Sequence, residues 1–281
     1  MKRLFSGLLL AVAAMLPLAV QAATSPQRIV VLGGPITELV FALDAGSQVV
    51  GVDDSSIYPA AAHKLPKVGY YRSFSVEGVM SLKPDLILAS DQAGPPEQLE
   101  RLRSFGRRVI VLNSQPTLRG LEQRIHGVAA ALGKVDAGRA LVKQVNDGVK
   151  LAAGIKGPRT LIVTSRASHP LDGAGGGTAA DATLRLAGGV NVLAGQQGYK
   201  PLANEAAAAL APDVIVTTRM SIGQFGSVEK LLAMPGIAAT PAARNKRVVV
   251  MDDLLLLGFG PRLPEALAEL QAGFDGKVAR R

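Results

Sequence analysis

One pattern occurs twice in this chain, and it dictates the architecture. Glu77 is followed eight residues later by Asp85 in Leu82-Lys-Pro-Asp-Leu-Ile-Leu88, and Glu205 eight residues later by Asp213 in Leu210-Ala-Pro-Asp-Val-Ile-Val216. Each copy reads as a helix, a stop at proline, which has no amide hydrogen for the ladder, and then a buried aliphatic strand. A second echo precedes each copy: the Gly-rich turn and helix of 33–46 is matched by 175–189. Two echoes in the same order imply two related lobes with a cleft between them, where ligands of α/β folds gather.

Short aliphatic runs alternating with helical periodicity fill in both lobes and indicate mostly parallel sheets. Strands are expected at 29–32, 49–52, 86–89 and 109–112, then at 160–164, 214–217 and 248–251. Helices are expected at 37–43, 75–81, 97–104 and 118–132, then at 179–186, 204–210, 227–232 and 264–274. Between the two series, 134–155 contains no proline and carries Leu141, Val145, Val149 and Ala152 on one helical face. About 20 residues at 1.5 Å each make a rod about 30 Å long, stopped at Gly154 and Gly157-Pro158. The fold class is therefore α/β, with two mostly parallel-sheet lobes bridged by a single long helix. The expected division is 23–133 for the N-terminal lobe, 134–157 for the linking helix and 158–281 for the C-terminal lobe.

Residues 1–22 read as a cleaved leader. Lys2 and Arg3 start it, an apolar run covers 8–18, and Val20-Gln21-Ala22 supplies small residues at a cleavage site near Ala22. The chain has no cysteine, which excludes a lipid-modified cysteine, disulfides and thiolate metal sites. A released, exported chain follows, most naturally in a bacterial periplasm. The formal charge is +9, of which Lys2 and Arg3 supply two, and the remaining basic residues are scattered. Export argues against nucleic acid as a partner, and the charge suits an anionic ligand.

The chemistry-bearing segment is Gly69-Tyr-Tyr-Arg72, which places two of the chain's four tyrosines beside an arginine, just ahead of a helix. Phenolate is a hard anionic donor suited to ferric iron, and tyrosine is an axial ligand of haem. An adjacent guanidinium favours the phenolate and can pair with a carboxylate. His169 follows a strand and precedes a glycine-rich run, at a strand end facing the expected cleft. The run Gly173-Ala-Gly-Gly-Gly-Thr178 lacks the Gly-Lys-Ser/Thr ending of a phosphate loop, and it reads as a cleft-lining loop. Gly-x-Ser-x-Gly, His-Glu-x-x-His and Ser-x-x-Lys signatures are absent, and nothing here argues for an enzyme.

With Tyr70, the doubled helix–Pro–Asp–strand unit and the linking helix in view, the chain resembles the periplasmic haem-binding proteins of bacterial ABC haem importers. These are substrate-binding proteins with two lobes joined by one rigid helix, alongside siderophore and cobalamin binders. The resemblance spans essentially the whole mature chain and is most specific at Leu65-Pro-Lys-Val-Gly-Tyr-Tyr-Arg72, Glu77-Gly78 and Leu82-Lys-Pro-Asp85. It implies haem in the interlobe cleft, with Tyr70 as the iron ligand and Tyr71 as the neighbouring alternative. Arg72 would support the ligating oxygen or a propionate. His169, Arg166 and Arg219 would be weaker contacts from the C-terminal lobe. It also implies that Glu38 and Glu205, as lobe-surface carboxylates, dock on arginines of an inner-membrane permease with its ATPase. The protein would act as a monomer, with small lobe closure. Two other readings stay open: the same fold carrying a ferric siderophore or corrinoid, or an exported haem-handling enzyme.

Overall fold

The computed structural model describes residues 28–151, 156–166 and 169–276. The leader, its cleavage site at Ala22, and Ala152 and Gly154 of the linking segment lie outside them. The N-terminal half runs β1 (Ile29–Leu32), α1 (Gly34–Ala42), β2 (Val49–Val52), α2 (Val76–Ser81), β3 (Leu86–Ser90), α3 (Pro96–Ser104), β4 (Arg108–Leu112) and α4 (Leu118–Ala131). Then comes α5 (Val135–Leu151). The second half continues with β5 (Arg159–Arg166), β6 (His169–Ala174), α6 (Ala179–Leu186), β7 (Val190–Asn191), β8 (Tyr199–Pro201), α7 (Asn204–Leu210) and β9 (Val214–Thr218). It ends with α8 (Arg219–Phe225), α9 (Val228–Ala233), α10 (Pro241–Arg244), β10 (Val248–Met251), α11 (Asp253–Leu257) and α12 (Leu263–Phe274).

β1 to β4 form one parallel sheet in the order β2-β1-β3-β4. The second sheet is ordered β10-β9-β5-β6-β8, with β7 also on β5. Its β10, β9 and β5 are parallel, whereas β6 runs antiparallel to both β5 and β8. The antiparallel edge was not expected from the sequence. His169 and the first glycine of the Gly-rich run, Gly173, belong to β6, paired back on β5, with the backbone of His169 opposite Arg166.

The repeated motif is a repeated set of contacts. Lys83 and Ala211, each just before the proline, take left-handed backbone conformations (φ 49° and 43°) that end α2 and α7. Asp85 then accepts the Arg28 amide at 3.1 Å and Asp213 accepts the Arg159 amide at 3.3 Å. The same two arginines donate their guanidinium groups to the carbonyls of Leu82 (2.6 Å) and Leu210 (2.9 Å). Each lobe is thus stapled where its first strand begins by the same Arg–Pro–Asp device. The capping residues follow their usual chemistry. Ser75, Thr117, Thr178, Thr218 and Asp252 accept amide hydrogens at the starts of α2, α4, α6, α8 and α11.

The central strands β1, β3 and β9 are buried along their whole length, in keeping with parallel sheets covered on both faces. One hydrophobic cluster joins the inner faces of both sheets. It runs from Ile29, Val31 and Leu39 through Val145 and Val149 of α5 to Val216, Leu267 and Leu270. The outer faces have separate clusters, around Phe74 and Leu102 in the first lobe and around Leu161 and Leu231 in the second. α5 packs on both α4 and α12, so its apolar stripe is the shared wall of the two lobes. The chain crosses between the sheets once, through α5.

Candidate functional site

In an open α/β sheet the ligand crevice lies outside the carboxyl ends of the strands, where strand order reverses. Here that point is between β1 and β3. The chain leaving β2 is doubled by 66–69, which adds a short parallel stretch: Val52 donates to Pro66 O (3.0 Å), Val68 to Val52 O (3.1 Å) and Asp54 to Gly69 O (3.0 Å). Lys67 Nζ donates to Ser56 O at 3.1 Å. Buried Asp53 accepts from the amides of Gly33 (2.9 Å) and Ser55 (2.8 Å) and from the Ser56 hydroxyl (2.7 Å). Gly69 then turns at φ +93°, a conformation that excludes most side chains. This scaffold sets Tyr70 on the rim of the crevice.

The two tyrosines are held differently. Tyr71 packs against the outer-face cluster, its carbonyl accepts the Gly94 amide (3.1 Å), and its hydroxyl accepts from Arg72 Nε at 2.9 Å. Tyr70 is 44% exposed and touches the Tyr71 ring edge-on, with centroids 4.7 Å apart. Partial burial, with the hydrogen bond and charge of Tyr71, pushes the Tyr70 phenol up to about 12, against the opposing charge of Arg72. Arg72 acts on Tyr70 by its charge and also holds other partners. It spans Tyr71 and the Gln92 side chain, and Gln92 Nε2 in turn donates to Ser114 Oγ at 2.7 Å.

The facing wall comes from the second sheet. β5 ends at Arg166, and Arg219 opens α8 immediately after β9. Both Arg219 and Met220 are exposed, and the Met220 amide donates to Asp253 Oδ2 at 3.0 Å. The two walls meet along a seam at the ends of β1 and β10. Gly34, whose amide donates to Ser55 Oγ at 3.0 Å, has no room for a side chain. An added Cβ would stand 2.5 Å from Ser55 O and 2.8 Å from Leu254 Cδ1 of α11. A short run of contacts therefore leads from Tyr70 through Gly69, Asp54, Ser55 and Gly34 to Leu254, Asp253 and Met220.

Two expectations are corrected here. Glu38 is not a lobe-surface carboxylate: it is 3% exposed and bound by Arg262 of the other lobe, with Nε at 3.0 Å and Nη2 also engaged. α1 starts at Gly34 rather than 37, because Pro35 suits a first turn, so Glu38 lies past that turn and faces the seam. Burial pushes its carboxyl up to about 7, over the opposing hydrogen bond and charge of Arg262. The Gly-rich run does not line the cleft either. Gly175 and Gly176 are buried, and their amides donate to Gly198 O (2.9 Å) and Gln196 O (2.6 Å). Its Thr178 caps α6.

Glu205 is exposed at the start of α7. Its repeat counterpart is Glu77 in the first turn of α2, with a side chain 75% exposed and a loose contact to Arg101 at 3.5 Å. Beside Glu77 a hollow of about 380 Å³ is lined by Val76, Met80, Arg101 and Phe105. The repeat itself pairs Glu77 with Glu205, a signal available in the sequence. Arg262, Arg124, Tyr58 and Gln92 carried no such signal, because their partners are distant in sequence.

The periplasmic binding protein family matches residues 29–255. Among solved structures, the chain is similar to the periplasmic heme-binding protein RhuT from Roseiflexus sp. RS-1 in apo form, with TM-score 0.85, 39% identity and coverage of 89% of this chain and 98% of that one. It is also similar to the periplasmic heme-binding protein BhuT in complex with two hemes, with TM-score 0.83, 41% identity and coverage of 90% and 99%. A curated relative from Bacillus subtilis, the uncharacterized ABC transporter substrate-binding lipoprotein YvrC, is 31% identical over 253 residues, 87% of this chain and 79% of that protein. A vitamin B12-binding protein of Vibrio vulnificus is 39% identical over a shorter stretch of 83 residues, 30% of each chain. Among the described residues no helix is long and apolar enough to cross a membrane.

Proposed function

This chain belongs to the periplasmic binding protein family, and from that membership we propose that it captures ferric haem between its lobes and hands it to an inner-membrane ABC transporter. The observation that carries the reading is the unequal treatment of Tyr70 and Tyr71. Tyr71 is anchored on the core with its hydroxyl engaged, while the Tyr70 ring stands on the crevice rim. When bound, haem brings a ferric iron with an open axial position. Tyr70 is the residue that would fill it, losing its proton to become a hard anionic donor.

Arg72, held between Tyr71 and Gln92 and two residues after Tyr70, would compensate that charge or a propionate. Arg219 and Met220 offer a cation and an apolar surface from the opposite wall, and His169 and Arg166 sit at the β5–β6 hairpin of the same lobe. Haem-binding solved structures matching nearly the full chain at 39–41% identity support haem over a corrinoid, whereas the vitamin B12-binding likeness is 39% identical over 30% of the chain and falls to 24% where it covers 91%. Release would come from docking in the periplasm, with Glu77 and Glu205 as the symmetric pair that meets the permease, and no chemistry is done on the ligand.

Titration of the purified protein with ferric haem tests the reading. We expect a saturable Soret change with a phenolate-to-iron charge-transfer band, lost in Tyr70→Phe and kept in Tyr71→Phe. A spectrum indifferent to both substitutions rules out tyrosine ligation. Saturable binding of a corrinoid without haem binding replaces the ligand class.

A further inference from the structure

The interlobe seam carries a feature that the binding reading does not use. Each lobe sends one arginine into the other. Arg262, at the cap of α12, places its guanidinium on Glu38 of α1, with Asp252 of its own lobe at 3.4 Å. Its flat face lies 3.6 Å from the ring centroid of Tyr58, which belongs to the first lobe. Arg124, on α4 and 2% exposed, donates Nη2 to the carbonyl of Phe259 in the second lobe at 2.7 Å, and Nη1 to Asn113 O of its own lobe at 3.2 Å. On the same seam, Leu254 of the second lobe closes on Gly34 of the first.

We infer that Arg262 with Glu38 and Tyr58, answered by Arg124 on Phe259, forms an interlobe clasp whose closure sets the width of the ligand cleft. α5 packs on both α4 and α12 and so ties the lobes together. The clasp engages the same two helices by separate contacts, through Arg124 within α4 and Arg262 at the cap of α12. A rigid strut and a polar clasp on the same two helices leave little freedom in the lobe angle. The clasp is directional in a way the strut is not. A planar guanidinium that bonds a carboxylate through two nitrogens and lies flat on a ring tolerates little displacement. Opening the seam admits water to a buried ion pair, which weakens its attraction. The neighbourhood of Glu38 contains Arg262, Asp252 and Glu265 as charged groups, so Arg262 is the cation that binds the lobes here.

The significance of the clasp for haem rests on the proposed binding function, but its test does not. The chain has no cysteine, so exposed Glu97 on α3 and Ala209 on α7 can each be replaced by cysteine and spin-labelled, and the lobe-to-lobe distance read in the ligand-free full chain. The Arg262 arm of the clasp is cut by Glu38→Leu with Arg262→Met, which removes both charges of the buried pair and leaves Asp252, 30% exposed, its bond from the Leu255 amide. It is weakened by Arg262→Lys, which keeps the charge and loses the fork and the stack. We expect the distance distribution to widen or shift by more than about 2 Å, the amplitude that marks a genuine rearrangement, in the cut protein, and less in Arg262→Lys. An unchanged, narrow distribution in variants that still unfold cooperatively overturns the clasp. If the double variant does not fold, Arg262→Lys decides. Haem affinity is then measured in the same proteins. A loss of about tenfold or more in the cut variant ties the clasp to cleft width, and equal affinity at a shifted distance overturns that link. If the wild type binds no haem while the distance responds to the cuts, the clasp stands and the binding function falls.

Discussion

The pH dependence of haem capture follows from the environment of Tyr70. A phenol must lose its proton to ligate ferric iron, so below its pKa the apparent affinity should rise about tenfold for each pH unit. The Tyr70 phenol lies at about 12 rather than the ordinary 10.0. Two pKa units make the ligating form about a hundredfold scarcer near neutrality than in an ordinary tyrosine. Because the ring is 44% exposed, solvent screens part of the effect, and about tenfold is the more conservative figure. After burial itself, the forces that raise it are the hydrogen bond and charge of Tyr71. Tyr71→Phe removes both and also frees Arg72 Nε from its acceptor. That variant should therefore bind ferric haem at pH 7 at least as tightly as the wild type, by up to about tenfold, with its affinity–pH curve displaced toward acid. The assay is a haem titration followed in the Soret band from pH 6 to 9 in wild type, Tyr71→Phe and Tyr70→Phe. A flat profile in the wild type, or a Tyr71→Phe curve displaced toward alkali, refutes the argument.

Three further outcomes are expected. Glu38 has a folded pKa of about 7, above the ordinary 4.5, so its contribution to stability is present below pH 4.5 and lost as pH rises through 7. This amounts to about 3 kcal/mol at 1.36 kcal/mol per pH unit. Denaturant melts at pH 5 and 8.5 should show that loss in the wild type and not in Glu38→Gln; equal losses in both would remove Glu38 as the source. Anaerobic dithionite should speed haem transfer to an acceptor, since ferrous iron suits a phenolate poorly, and retention as firm as in the ferric state would point to a different donor. Ala at both Glu77 and Glu205 should leave haem binding intact and sharply reduce transport in reconstituted vesicles, with the wild-type advantage shrinking in salt; full transport by the double variant at low salt would exclude the pair.

What could be read from the sequence was what is encoded locally. Strands 29–32, 49–52 and 248–251 match β1, β2 and β10, because a short aliphatic run bounded by turn residues needs no distant partner to be recognised. α5 was legible for the same reason, through its one-sided stripe. β6 was not. Its Asp172-Gly173 pair and the His169-Pro170 start resemble a turn, and only pairing with β5 makes the segment a strand. Tyr70 could be found from its own neighbourhood, yet its distinction from Tyr71 depends on the turn at Gly69 and on which ring reaches the outer-face cluster. Glu38 was misread because its helix begins earlier than its apolar pattern suggests, and because Arg262 lies 224 residues away. No local spacing reports such a contact.

The sequence separation of the clasp also imposes an order on assembly. The first sheet is complete once Leu112 has been made, and its Arg28–Asp85 staple spans 57 residues. The Arg124–Phe259 bond spans 135 residues and the Arg262–Glu38 bond 224. Loop-closure entropy grows only slowly with length, but a chain made from its amino terminus forms what it has in hand. Tyr70 is therefore in place long before the opposite wall exists, and the space between the walls takes its final dimension last, when the segment ahead of α12 arrives. A nascent chain stalled before that point would already display Tyr70, without the lobe that limits what can reach it.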